Sequence, residues 1–231
     1  IVQKYVKKYE KEKIVIKYGG NVLIDRNVFN NFISDINVLN RLGLSIIVVH
    51  GGGPRIKREL DKKKIVSKFI KGLRVTDKNI IDTVEEVLID FNQDIISSLK
   101  KLGSEAASFH TKSDNVIEVE PEREELGFVG IPKDINDNLI LNALNENKIP
   151  IIAPLGLGKH NQTYNINGDT AASAIAKKIK SRRLILMTNV EGVYDDQKKL
   201  ISEIKPFDLE NLIKWKVVQG GMIPKIENCV D

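Results

Sequence analysis

Two glycine-rich turns, each placed directly after a short apolar run, are the stretches of this sequence best suited to bind an anion. The first run ends in Lys17 and leads through a tyrosine to Gly19 and Gly20, and the second ends in His50 and leads to glycines 51–53. Without Cβ atoms a ligand can approach the backbone, whose N–H groups can donate to it. A proline then marks a helix start, where the dipole also favours negative charge. A plain strand-to-helix turn stays the alternative, because a glycine-rich turn alone is weak evidence.

Two cationic side chains accompany these turns. Lys17 is expected at the carboxyl end of a buried strand, the edge where open α/β sheets bind ligands. Because lysine is rarely buried without a partner, this position favours a ligand contact over a surface role. Arg74 precedes the predicted cap of a long helix, where its guanidinium could bind a carboxylate through two hydrogen bonds. An exposed loop arginine explains Arg74 equally well from the sequence alone.

The histidines and the cysteine do not indicate a metal site or a nucleophile. His110 and His160 have no partners at metal-ligand spacing, and we expect both to be structural or solvent-facing. For His50 we expect a structural hydrogen bond rather than acid–base catalysis. Cys229 is the single cysteine, which excludes an internal disulfide and is typical of a small, nearly buried apolar side chain.

The elements that would position these residues alternate along the chain, which predicts an α/β fold with a mainly parallel sheet. Apolar runs without alternation favour strands covered on both faces, whereas a 3.6-residue period favours helices. Strands are expected at 13–17, 46–49, 106–110, 116–119, 149–154 and 184–188, with an irregular hairpin over 67–75. Helices are expected at 28–42, 54–63, 77–103, 137–147, 170–180 and 209–215.

Composition narrows the classes of partner. The 231 residues carry a net charge of +5 in scattered patches without interleaved aromatic residues, which excludes a nucleic-acid platform and suits a small polyanionic substrate. No apolar run is long enough to span a membrane, and the first residues are too charged for a secretory signal. With one cysteine, we expect a reducing compartment: the cytoplasm, or the plastid stroma if the gene is plastid-encoded. The P-loop and dinucleotide-binding glycine patterns are both absent.

Five motifs together resemble the amino-acid-kinase superfamily. They are KYGGN at 17–21, VHGGGP at 49–54, GLRVT at 72–76, NINGDTAA at 165–172 and GGMIPK at 220–225. The likeness extends over essentially the whole chain and is strongest to the N-acetylglutamate kinases of arginine biosynthesis. The segments at 72–76 and 165–169 distinguish it from carbamate, uridylate and aspartate kinases.

The resemblance implies a three-layer α/β/α sandwich around a mainly parallel sheet. Residues 1–160 would form an N-terminal lobe for the acyl amino acid and subunit contacts, and residues 161–231 an ATP-binding lobe. Because the chain begins at Ile1 and stops at Asp231, we expect that second lobe to be incomplete. The family also implies a homo-oligomer, either a dimer or a hexamer. Arginine is a candidate feedback inhibitor and a nitrogen-signalling trimer a candidate partner.

The implied reaction transfers the γ-phosphoryl group of ATP to the side-chain carboxylate of N-acetyl-L-glutamate. By resemblance, Lys17 and Lys225 are catalytic and Asp169 holds both in position. The resemblance assigns substrate binding to Gly52, Gly53, Arg74, Asn165 and Asn167. It assigns nucleotide binding to Gly19, Gly20, Thr188, Asn189, Gly192, Tyr194, Asp195, Gly221 and Met222. Mg²⁺ would be held mainly by ATP oxygens and water, with no protein ligand.

Backbone N–H groups of Gly19, Gly20, Gly52 and Gly53 would complete an oxyanion cradle for the moving phosphoryl group. One departure from the family pattern is Gly168, where alanine is more often expected. Two alternatives stay open. One is a related kinase that acts on a longer acid of the acetylaminoadipate type. The other is a non-catalytic, arginine-binding regulatory subunit.

Overall fold

The alternation of strands and helices is present in the computed structural model, which describes residues 7–9, 11–20, 25–188, 190–195, 197–215, 217–218, 222 and 225–226. The strands are β1 (Lys13–Tyr18), β2 (Ser45–His50), β3 (Phe69–Ile70), β4 (Leu73–Arg74), β5 (Ala106–Phe109), β6 (Ile117–Pro121), β7 (Gly130–Ile135), β8 (Ile149–Ile152), β9 (Leu155–Leu157), β10 (Thr163–Asn165) and β11 (Arg183–Leu186). The helices are α1 (Arg26–Arg41), α2 (Gly53–Lys62), α3 (Lys78–Lys101), α4 (Asp137–Asn145), α5 (Gly168–Lys178) and α6 (Leu209–Lys214). No described helix is long and apolar enough to cross a bilayer.

The central sheet is parallel throughout, in the strand order β11-β1-β2-β8-β5. In its middle, Lys17 of β1 is opposite Val49 of β2, and Tyr18 is opposite His50. Just beyond the strand ends, the Gly51 N–H donates to the Tyr18 carbonyl at 2.6 Å. Because parallel strands end at the same edge, Lys17 and the second glycine turn meet there.

Helices cover both faces of this sheet, which explains the unbroken apolar runs in β1 and β2. On one face Ile14 and Ile16 pack with apolar side chains of α1 and α3. On the other face Val15 and Ile47 pack with α4 and α5. The predicted α/β/α sandwich is therefore confirmed.

A second sheet of four short strands, β10-β9-β6-β7, extends the fold beyond the central sheet. It is mixed, with antiparallel pairs β9–β10 and β6–β7 and a parallel contact between β6 and β9. The separate hairpin β3–β4 forms where the sequence predicted one. β10 ends at Asn165 and α5 begins at Gly168, so the second sheet leads directly into the helix that contains Asp169.

Two helix starts explain how the sequence positions the site. Asp77 caps α3 by accepting from the N–H groups of Asn79 and Ile80, as the sequence predicted. The helix expected at 170–180 begins two residues earlier, at Gly168, because the Asn167 side chain caps it. Asp169 consequently lies in the first helical turn.

Candidate active site

Three charged side chains meet at the carboxyl edge of the central sheet. The Nζ of Lys17, from β1, lies 2.9 Å from Oδ1 of Asp169, which α5 carries in its first turn. The Nζ of Lys225 lies 2.7 Å from Oδ2 of the same carboxylate. Lys17 is 7% exposed and Asp169 8%, so these two groups are almost wholly removed from water, whereas the Lys225 side chain is 21% exposed. One carboxylate thus holds two ammonium groups, one on each oxygen.

The electrostatics of this group follow from burial and mutual charge. Burial alone would raise the pKa of Asp169, but the ammonium groups of Lys17 and Lys225 outweigh it and lower that pKa below its ordinary value. Asp169 is therefore ionised at neutral pH and suited to hold cations rather than to take a proton. Burial, reinforced by the charge of Lys225, lowers the pKa of Lys17 despite the favourable pairing with Asp169. Lys17 Nζ forms an ion pair with Asp169 Oδ1, but the two groups are not aligned for a hydrogen bond.

Two glycines leave room for the Lys17 side chain. A Cβ added at Gly19 would lie 2.5 Å from Lys17 Nζ and 2.7 Å from its Cε. A Cβ added at Gly168 would lie 3.2 Å from the same Cε. The end of the side chain therefore passes between Gly19 and Gly168, and a larger residue at either place would press on it.

A cavity of about 220 Å³ opens beside Lys17. Its lining includes most of the residues predicted to bind substrate or to form the cradle, namely Lys17, Gly20, Gly52, Gly53, Arg74, Asn165 and Asn167. The backbone at Gly20 has a φ of +78°, a conformation that favours glycine. At Gly52 a Cβ would lie 2.4 Å from Cδ2 of Leu88 on α3, so only glycine fits there without a shift.

Arg74 lies at this cavity on strand β4 and is supported by its own hairpin. Its guanidinium donates to the hydroxyl of Ser67 and, at 3.3 Å, to the carbonyl of Gly53. The Cζ atom also lies 4.7 Å from the centroid of the Phe69 ring. These contacts orient the planar cation toward the glycine turn, where a ligand carboxylate could join it. Sequence reasoning missed Ser67 and Phe69, which carry no motif.

The two asparagines of the NINGD segment have different surroundings. Asn165 donates from Nδ2 to the Thr76 hydroxyl at 3.3 Å, which links β10 to the cap region of α3. Asn167 accepts at Oδ1 from the N–H groups of Asp169 and Thr170, at 2.9 and 3.1 Å. Its oxygen is therefore used to position Asp169, and its Nδ2 is the part available to a substrate.

Of the residues predicted to contact the nucleotide, several lie in the loop after β11. There the Tyr194 hydroxyl donates to Glu191 at 3.0 Å. Asp195 accepts from the N–H groups of Gln197 and Lys199 at 2.9 and 2.8 Å, which closes a turn in the loop itself. Gly192 adjoins these residues with a φ of +157°. The 220 Å³ cavity does not include this loop, so its nucleotide contacts stay a prediction.

Four more residues were predicted to contact the nucleotide, and two of them are described by the structure. Thr188 and Met222 are half-buried, and Asn189 and Gly221 lie outside the described residues. Within the described part of the chain, no group of three or more histidine, cysteine, aspartate or glutamate side chains could hold a metal ion.

His50 makes the structural hydrogen bond that the sequence led us to expect. Its ring is fully buried, with Nδ1 2.9 Å from the Gly51 carbonyl oxygen and Nε2 3.2 Å from Nδ2 of Asn92. Asn92 also donates to the Ile151 carbonyl at 3.0 Å and accepts from the Ser108 hydroxyl at 2.8 Å. Sequence reasoning did not find Asn92 or Ser108, since a polar residue in a helix or strand carries no sign of its distant partners.

Comparison with known proteins agrees with this geometry. The sequence profile of the amino acid kinase family matches residues 12–231. The chain belongs to the amino acid kinase family. Within this family, the acetylglutamate kinase of Pelagibacter ubique is 50% identical over 230 residues, a match that covers 100% of this chain and 80% of that protein. The acetylglutamate kinase of Campylobacter fetus is 42% identical, over 98% of this chain and 82% of that protein.

A solved structure of the same fold extends the family comparison. The crystal structure of smu.665 from Streptococcus mutans superposes with a TM-score of 0.86 at 32% identity. The match covers 94% of this chain and 89% of that one. The two chains therefore share a fold.

Proposed function

We infer that this chain catalyses the ATP-dependent phosphorylation of the side-chain carboxylate of N-acetyl-L-glutamate, a step of arginine biosynthesis. The relatives named acetylglutamate kinase, at up to 50% identity across the chain, support the activity. The observation on which we base the mechanism is the buried Lys17–Asp169 ion pair, joined by Lys225, beside a glycine-edged cavity. It supplies two positive charges where two anions must meet.

The chemistry of the acceptor explains why the reaction needs no general base. A glutamate side chain has a pKa of about 4.3 and is already ionised at neutral pH. One of its oxygens forms a bond to the γ-phosphorus while the bond from that phosphorus to the bridging oxygen breaks, and ADP leaves. The barrier therefore lies in bringing two anions into line and in spreading the charge of the transferred group.

The side chains fit these needs as follows. Lys17, from the strand end, would contact the transferring phosphoryl group, and Lys225 would neutralise the leaving oxygen of ADP. Asp169 would hold both ammonium groups apart in fixed positions, since it is ionised and paired with each. Such preorganised charges, two of them buried, stabilise the transition state without reorganisation.

Backbone and polar groups would bind the rest of the substrate. Gly20, Gly52 and Gly53 line the cavity, and their N–H groups would donate to phosphoryl oxygens. Arg74 would bind the α-carboxylate of N-acetyl-L-glutamate, a contact for which a planar guanidinium is well shaped. Asn165, across the cavity, would donate to polar atoms of the acyl amino acid.

ATP use follows from membership of a kinase family, and Mg²⁺ belongs to the proposal. Asp169, the buried carboxylate nearest the reaction, is already paired with two ammonium groups, so we assign no protein ligand to Mg²⁺. Mg²⁺ bound to phosphate oxygens and water would neutralise negative charge on ATP. The two-lobe division at residue 160, the dimeric or hexameric assembly, inhibition by arginine and binding of a signalling trimer stay predictions.

The decisive experiment measures ADP release in a coupled assay with ATP, Mg²⁺ and N-acetyl-L-glutamate. Acetylated aminoadipate is assayed in parallel, because the closest alternative is a kinase for that longer acid. We expect turnover with N-acetyl-L-glutamate and little with the longer acid. A reversed preference would assign the chain to the other reaction. Arginine binding without any turnover would support the regulatory alternative.

A further inference from the structure

We propose that His50 is a positioning residue that orients the Gly52 N–H toward the transferring phosphoryl group. The inference rests on the proposed function, because it assigns a role within the same phosphoryl-transfer site. Its basis is the buried contact between the His50 ring and the peptide that joins Gly51 to Gly52.

The hydrogen-bond network determines which ring nitrogen carries the proton. Asn92 accepts from Ser108 at its oxygen, so its Nδ2 is the donor to both the Ile151 carbonyl and His50 Nε2. His50 Nε2 is therefore the acceptor, and the proton of the neutral ring is on Nδ1. That N–H donates to the Gly51 carbonyl oxygen at 2.9 Å. Burial supports the neutral form, since it lowers the pKa of His50 to about 4.

The direction of the Gly51 carbonyl fixes the direction of the next amide. All described peptide bonds are trans, and in a planar trans peptide the C=O and the following N–H point in opposite directions. The Gly51 carbonyl points toward the fully buried ring of His50. The Gly52 N–H consequently points away from that ring, and Gly52 itself lines the cavity beside Lys17.

The surroundings hold the ring in one orientation. The Phe91 ring of α3 contacts His50 edge-on, with centroids 5.1 Å apart and an interplanar angle of 80°. Asn92, the next residue of the same helix, contacts Nε2. Helix α3 and strands β2, β8 and β5 therefore all restrain a single peptide at the floor of the cavity, as preorganised catalysis requires.

Two nearly matched variants separate positioning from packing. In His50→Asn the side-chain Nδ2 lies as many bonds from Cα as the histidine Nδ1 and can still donate to the Gly51 carbonyl. In His50→Gln the side-chain amide lies one bond further from Cα, so the donor to the Gly51 carbonyl is lost. Both lose the ring, so both should lower the unfolding temperature to a similar degree. Ile140→Ala, in the buried face of α4, serves as a control for loss of stability alone.

We expect kcat of His50→Gln to fall by about tenfold to a hundredfold, with the KM for N-acetyl-L-glutamate nearly unchanged, because the donor acts on charge that develops in the transition state. We expect His50→Asn to recover most of that loss. Equal falls in kcat for the two variants would overturn the inference. An inactive wild-type chain would overturn the proposed function and this inference with it, whereas an active wild type with equal falls overturns this inference alone.

A second measurement needs no variant to fold. Glycine labelled with ¹³C at the carbonyl and ¹⁵N at the amide gives a filtered NMR signal only from a glycine that follows another, which selects Gly20, Gly52, Gly53 and Gly221. With ADP, aluminium fluoride and N-acetyl-L-glutamate added to the wild-type protein, we expect the Gly52 amide proton to move downfield. If that signal stays in place while the complex forms, the Gly52 N–H does not contact the phosphoryl position and the inference is wrong.

Discussion

Replacing Gly19 with alanine should disable the site without unfolding the protein. The added Cβ would lie 2.5 Å from Lys17 Nζ, whereas ordinary contact begins at 3.4 Å, so the ammonium must move by about 0.9 Å. The clash is with the far end of a flexible side chain rather than with backbone, and φ at Gly19 is not in the left-handed region. A misplacement of about 1 Å can cost ~10²-fold in rate, and we expect kcat to fall by that order.

The free energy of unfolding should change little. Alanine restricts the unfolded chain, which stabilises the protein by about 0.4–1 kcal/mol, and the weakened Lys17–Asp169 pair offsets this gain. The coupled ADP assay gives kcat, and a thermal unfolding curve gives the stability. Gly168→Ala is the matched control: its Cβ would press on Lys17 Cε from the other side and requires a shift of only about 0.2 Å. We expect its kcat within about threefold of wild type. Unchanged turnover in Gly19→Ala, or an equal loss in both variants, would refute the reasoning.

The remaining predictions concern the charged groups. Lys17→Ala should lower kcat by ~10² or more, and Lys17→Arg should not restore it because a planar fork replaces a point charge; wild-type turnover in either variant, checked for folding by circular dichroism, would exclude Lys17 from catalysis. Arg74→Lys should raise the KM for N-acetyl-L-glutamate and leave that for ATP; equal rises would contradict its assigned role. Asp169→Asn leaves Lys17 buried without a counter-charge, which should cost ~3–5 kcal/mol of unfolding free energy in urea titrations, and an unchanged midpoint would show that the pair is not needed for stability. Because the folded pKa of Asp169 is lowered, that stability should be present above its ordinary pKa of 3.8 and be lost as pH falls through the lower folded value. Because burial lowers the pKa of Lys17, activity should decline on the alkaline side at a pH below the ordinary 10.5, as this ammonium group loses its proton; a decline only above 10.5, in a pH profile of kcat/KM for ATP, would argue against a lowered pKa of Lys17.

The central sheet could be predicted from local patterns because both of its faces are buried. Apolar side chains are therefore needed in the middle of β1 and β2, and unbroken apolar runs at 14–16 and 46–49 are visible in the sequence. The second sheet could not be predicted as a unit. Strands β9 and β10 have three residues each, too few for a period, and their partners are set by packing with distant segments. The predicted start of α5 was two residues too late, because Asn167 was interpreted as a ligand-binding residue and not as the helix N-cap.

For the site, local chemistry indicated Lys17, the glycine turns and Arg74, but not the residues that complete them. Asp169 and Lys225 are 56 positions apart, and no local pattern predicts that they share an ion pair. Only the resemblance to a family could bring them together before the structure was known. The partners of His50 could not be predicted even with the family resemblance, because Asn92 is a single amide in an otherwise ordinary amphipathic helix.

The glycines beside Lys17 have a steric role in the structure that the sequence did not indicate. The sequence explained Gly19 by the approach of a ligand to its backbone, and Gly168 only as a departure from the family pattern. In the structure both leave space for the same side chain, so an ammonium group can reach Asp169 while almost wholly buried. A lysine confined in this way has few alternative positions for its ammonium group. The same confinement is what makes a single added methyl group at Gly19 more harmful to turnover than to folding.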